Sequence, residues 1–126
     1  MGVDSFYTFL KLREHEASKP DYLICAYCFD IKLSNIDLYQ SVKARLEVVG
    51  KESDIKIIHL KTNLRPFGDI CLRWGEDFHG AALASIGLAL GSTFSKIYIP
   101  VTCTYEVISP WVSHLLTDPL WSSETL

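Results

Sequence analysis

From Ser5 to Glu16 the residues Phe6, Phe9, Leu10 and Leu12 recur at near-helical spacing, with Lys11, Arg13, Glu14 and Glu16 between them. This pattern predicts an amphipathic helix beginning at residue five. Lys19-Pro20-Asp21 is a turn signal, and the apolar run Tyr22 to Phe29 predicts a strand buried on both faces, ending at Asp30. In the next segment Leu38, Val42, Leu46 and Val49 build one helical face. Ser34 and Asp37 have the spacing of a capping box before that face, and Gly50 has the place of a stop after it.

Ile55 to Leu60 predicts a short strand, and Thr62 to Gly75, with one proline and two glycines, a loop or irregular helix. Asp77 to Leu90 is apolar on nearly every side, which predicts a buried helix; Gly80 and Gly87 permit close backbone approach there, and Gly91 has the position of a C-cap. Lys96 to Val101 predicts a third strand. The segment from Thr102 to Leu126, rich in Ser, Thr, Pro and Trp, is expected to be long and irregular, as functional segments often are.

Helix, strand, helix, strand, helix, strand is the order of an α/β fold with crossover helices on a parallel sheet. The expectation is one three-layer domain over residues 1–126, Rossmann-like in arrangement. In such folds the first helix follows the first strand, so a helix at residue five implies that the first strand is missing and that the chain is cut short at its N-terminus.

The 126 residues are about one domain's length, and 48% hydrophobic against 21% charged residues lies in the ordinary globular range. The formal net charge of −3 is spread without runs of one sign, so a nucleic acid is not the expected partner. The longest strongly apolar stretch, Ala81 to Leu90, is about half of the roughly twenty residues that a membrane span needs. No basic segment precedes an apolar one at the N-terminus, and the expectation is a cytoplasmic protein with reduced cysteines. Cys25 and Cys28 form a C-x-x-C pair, but in a strand they would face opposite sides, and a second pair of ligands is lacking. Two small buried hydrophobes are the preferred reading.

Gly2-Val3-Asp4-Ser5 has the composition of a phosphate loop, a glycine turn opening a helix whose free N–H groups favour an anion. The Ser5 hydroxyl can add a donor, and Asp4 can hold the magnesium that accompanies a polyphosphate. An ordinary helix cap by Asp4 or Ser5 is the alternative. Arg65 and Arg73 are placed to contact a phosphate or a carboxylate, or to form surface ion pairs. Glu76, Asp77 and His79 can cap the following helix, bind a metal or exchange protons, capping being preferred. Ser113, His114 and Asp118 lack the G-x-S-x-G elbow of a hydrolase.

Gly2-Val3-Asp4-Ser5 before an aromatic helix resembles four of the six positions of the S-G-G-x-D-S signature of PP-loop ATP pyrophosphatases, with Met1 where a glycine would stand. Phe29-Asp30-Ile31, Thr62-Asn63-Leu64-Arg65-Pro66-Phe67 and the tail from Thr104 to Glu124 are similar to a QueC-like, asparagine-synthase-like branch. That tail has Pro110-Trp111-Val112-Ser113-His114-Leu115 where the branch has Pro-Trp-Gly-Ser-His-Pro.

The resemblance implies an adenine nucleotide alpha hydrolase-like fold that binds ATP with Mg2+ and adenylates a substrate oxygen, releasing pyrophosphate. An amine, ammonia or sulfur nucleophile then displaces AMP. It further implies that Gly2, Val3, Asp4 and Ser5 hold the phosphates and that Cys28, Phe29 and Asp30 hold the adenine. Asp4, Arg65 and His114 are then expected to carry the catalytic roles, and Asp4 to be the metal ligand. The acceptor is an unknown small molecule or carboxylate, and association into a homo-oligomer stays open. The rival reading is a truncated, catalytically inactive α/β domain acting as a structural or partner-dependent module.

Overall fold

A computed structural model describes residues 2–100 and 118–122. The chain divides into two compact units, residues 1–64 and 65–126.

The first unit is built on a βαβ element. Strand β1 (Tyr22–Tyr27) and strand β2 (Lys56–Lys61) run parallel, in register from Tyr22 opposite Lys56 to Tyr27 opposite Lys61. Helix α2 (Ile36–Ser53) makes the crossover and packs on β2. Parallel neighbours require such a crossover, because a tight turn can only reverse the chain. The α/β character read from the sequence is therefore present, with two parallel strands among the described residues.

Burial alternates along β1, with Leu23, Cys25 and Tyr27 buried and the intervening side chains less so. The strand is thus sealed on one face, where the apolar run predicted burial on both. Helix α1 (Val3–Arg13) closes the core with Phe9, 2% exposed, against Leu23 and Ile55, with Phe6 and Ile57 packed around them. Burying a phenylalanine side chain so completely stabilises by about 1.5–3 kcal/mol. Leu10, predicted for the buried face, is 59% exposed, because Phe6 and Phe9 turn a different stripe inward.

Helix α2 differs from its predicted ends. Asn35, not Ser34, is the N-cap: its side chain accepts a hydrogen bond from the Leu38 N–H at 3.2 Å. Gly50 does not stop the helix, which runs to Ser53 and ends at Asp54 in the left-handed conformation, φ 49°. Gly50 is buried against β2, where a Cβ would lie 2.9 Å from the Ile55 carbonyl oxygen and 3.0 Å from Ile57 Cγ1. Close approach, not termination, is what requires glycine here.

In the second unit α3 (Leu64–Gly68) begins at its boundary, a wide π-turn spans Trp74–Phe78, and α4 (His79–Ala89) follows directly. Predicted as a loop or irregular helix, 62–75 contains this short helix. A Cβ on Gly68 would collide with the Phe78 ring, so α3 and the π-turn meet through a glycine. The buried side of α4 is lined by Gly80, Ala84 and Gly87, with Ala82 also buried, while Leu88 is 45% exposed. The helix is thus only partly buried, and small residues make its inward stripe. Gly91 does not take the positive φ expected of a C-cap glycine; the cap is Leu90.

Over its described residues the predicted third strand is not formed: 96–100 carry no strand pairing. A strand exists only as a partner in a ladder, and Pro100 closes the run with no N–H to donate. Residue 101 and most of the predicted irregular tail lie outside the described residues; in the described part of the tail Asp118–Trp121 forms one 3-10 turn. Among the described residues no helix is long and apolar enough to cross a membrane.

Candidate functional site at the carboxyl edge of the parallel strands

Because β1 and β2 are parallel and in register, their carboxyl ends emerge side by side. The Thr62 N–H donates to the Tyr27 carbonyl oxygen at 3.2 Å, extending the ladder past β2. Thr62 then turns its hydroxyl back to accept from the Leu64 N–H at 3.1 Å, which starts α3. Open α/β sheets bind ligands at this edge, where the loops leave the strands.

Cys28 leaves β1 at φ 87°, a region that residues with a Cβ rarely adopt. It is 3% exposed, and Phe29 beside it is 4% exposed, whereas Asp30 is open to solvent. Strained backbone of this kind costs about 1–3 kcal/mol and persists only where the surroundings fix it. Cys25 and Cys28 are both buried, as expected of small hydrophobes, though Cys28 lies beyond the strand and not on its opposite face. Burial pushes the Cys25 thiol above its ordinary pKa, and the Asp30 carboxylate acts in the same direction.

Gly2, Val3, Asp4 and Ser5 form the N-terminus of α1. Gly2 is its N-cap in an extended conformation, and no side chain caps the helix. The first backbone bond runs from the Phe6 N–H to the Gly2 carbonyl oxygen at 3.3 Å. Capping by Asp4 or Ser5, the alternative reading, is therefore not realised. Asp4 is half-buried in the first turn, and Val3 is 84% exposed. Among the described residues no group of three or more His, Cys, Asp or Glu side chains converges as a metal cage.

The basic residues of the second unit are engaged locally. Arg65 pairs with Asp69 at 3.7 Å and lies over the Trp74 ring, 5.0 Å from its centroid. Arg73 donates through Nε and Nη2 to the Asp77 carboxylate at 3.1 and 3.3 Å, and also pairs with Glu76. These hydrogen bonds hold the Asp77 carboxyl below its ordinary pKa and raise that of Arg73. Glu76 and Asp77 thus bind Arg73 and do not cap α4, and His79 lies edge-on to Trp74 at 5.3 Å. His114 and Ser113 lie outside the described residues.

An aromatic group beneath the edge escaped the sequence reading. Tyr27 stacks on Tyr39 of α2 with centroids 3.9 Å apart, and Tyr39 meets His59 of β2 edge-on at 6.4 Å. His59 Nε2 donates to Glu47 Oε1 at 2.9 Å, and its buried Nδ1 finds no partner among the described residues. The 3.6-residue spacing of Tyr39, Val42, Leu46 and Gly50 could have identified Tyr39 as inward-facing. No protein-family model matches the chain, and neither a curated protein nor a solved structure matches it.

Proposed function

We propose that this chain is the nucleotide-binding domain of a PP-loop-type ATP pyrophosphatase, a three-layer Rossmann-like domain of which the βαβ element is one part. The observation that carries the reading is Cys28: a buried, non-glycine residue held at positive φ directly after a parallel strand. Strain at a ligand-binding edge is characteristic of functional sites. The uncapped N-terminus of α1, with Asp4 in its first turn, adds free N–H donors and a carboxylate. In this reading Gly2 to Ser5 receive the phosphates, Asp4 holds Mg2+, and Cys28 to Asp30 receive the adenine. A substrate oxygen then attacks the α-phosphorus and pyrophosphate leaves, its charge stabilised by donors already in place. An amine, ammonia or sulfur nucleophile displaces AMP.

The pairing of Arg65 with Asp69 and Trp74 favours a second reading, a catalytically inactive module that acts through a partner chain. Calorimetric titration with ATP–Mg separates the two. The expected result is saturable binding, weakened about tenfold to a hundredfold in Asp4→Asn, the value of one charge-assisted contact. Binding without pyrophosphate release on offering carboxylate acceptors would favour the inactive module, and no binding at all would remove the nucleotide reading.

A further inference from the structure

The loop that follows β1 is fastened by the residue that precedes it. Tyr27 ends β1, and its hydroxyl donates toward the Leu33 carbonyl oxygen at 2.8 Å and the Lys32 carbonyl oxygen at 3.2 Å. Residues 28–33 thus leave the Tyr27 backbone and return to its side chain. The same ring stacks on Tyr39, nearly parallel at 16°, in the first turn of α2. Beyond the loop, the Asn35 N–H donates to the Lys32 carbonyl oxygen at 2.9 Å, and Asn35 caps α2. Strand end, loop and helix start therefore converge on one buried phenol, 4% exposed.

A loop with a strained residue at its start needs such support. Positive φ at Cys28 is held only while the surrounding structure opposes relaxation, and a loop free at its far end would offer little opposition. The Tyr27 hydroxyl ties that far end, and the Tyr39 ring prevents the phenol from swinging away. Carbonyl oxygens released from the hydroxyl can turn to water, so the loss is felt in the loop before it is felt in the fold.

We propose that Tyr27 and Tyr39 are positioning residues, which hold residues 28–33 in the one conformation that presents Cys28 to Asp30 to a ligand. The ligand's identity as an adenine nucleotide rests on the reading above; the fastening does not. Two measurements on the same variants keep these apart. Hydrogen exchange of the Asn35 amide, which donates to the Lys32 carbonyl oxygen, is expected to quicken about threefold to tenfold in Tyr27→Phe, the equilibrium value of one neutral hydrogen bond, with β1 and β2 unchanged. Tyr39→Leu should quicken the same amide, while Tyr39→Phe, which keeps the ring, should restore its slower exchange. ATP–Mg affinity should fall by a similar factor in Tyr27→Phe and Tyr39→Leu and recover in Tyr39→Phe. Unchanged exchange of the Asn35 amide in Tyr27→Phe, or quickening spread equally over both strands, would overturn the fastening. Failure of the unaltered protein to bind ATP–Mg would overturn the nucleotide reading alone, since the exchange rates decide the fastening by themselves.

Discussion

Gly50 of α2 lies against Ile57 of β2 so closely that a Cβ on the glycine would come within 3.0 Å of Ile57 Cγ1 and 2.9 Å of the Ile55 carbonyl oxygen. The Ile55 N–H donates to the Gly50 carbonyl oxygen at 2.9 Å, so the helix end and the strand start are joined there through backbone. Two effects compete in Gly50→Ala. Alanine favours a helix interior by about 1 kcal/mol, whereas overpacking costs about 1–3 kcal/mol. The nearer obstacle is a backbone oxygen, which cannot rotate aside, so net destabilisation of about 1 kcal/mol is expected. Chemical denaturation measures it, and a stabilised variant would show that the helix can move off the sheet.

Phe9 and Tyr7 sit two residues apart on α1 and differ in burial, 2% against 63% exposed. Phe9→Ala should remove about 3–5 kcal/mol, the usual cost of deleting a buried aromatic side chain. Tyr7→Ala should change stability by no more than about 0.5 kcal/mol. Equal losses in the two denaturation curves would mean that α1 does not close the core through Phe9.

The helix cap offers an equally direct comparison. Asn35→Ala removes the side-chain acceptor of the Leu38 N–H and is expected to cost about 1 kcal/mol. Ser34→Ala, at the position that the capping-box spacing favoured, should be near neutral. Thermal unfolding of both variants tests it, and the reverse order of losses would place the cap at Ser34.

Alkaline pH should weaken the first unit. Burial raises the Cys25 thiol above its ordinary value of 9.0 and the Tyr27 hydroxyl above 10.0. The native state keeps these protons at pH values where the unfolded chain has released them, so the unfolded state binds fewer protons and stability falls as pH rises. The decline should begin above about pH 9 and steepen above about pH 10. Cys25→Ala should flatten its lower part and Tyr27→Phe its upper part. A slope unaltered in both variants would assign the decline to other groups.

The alternation of periods, 3.6 residues and then continuous apolar runs, made the helices and the first two strands legible, because amphipathic burial is written locally. Element ends were less legible. Ser34, Gly50 and Gly91 have the right residue types for caps, but Asn35 is the residue whose side chain meets a free N–H, and Asp54 is the one that takes the left-handed turn. Glycine is needed both for turns and for close packing, and only the distance to Ile57 shows which need Gly50 meets.

By itself the sequence determined that this is an α/β chain whose first two strands run parallel across a helix, since that much follows from periodicity and from the length of the crossover. Tertiary structure alone decided that Lys96 to Pro100 carries no strand pairing, because a strand requires a partner that no local pattern supplies. It also decided the setting of the candidate site. Positive φ at Cys28, the stacking of Tyr27 on Tyr39 and the placing of Arg65 over the Trp74 ring each depend on neighbours brought together by folding. Residue type restricts what a side chain can do, and its surroundings select among those roles.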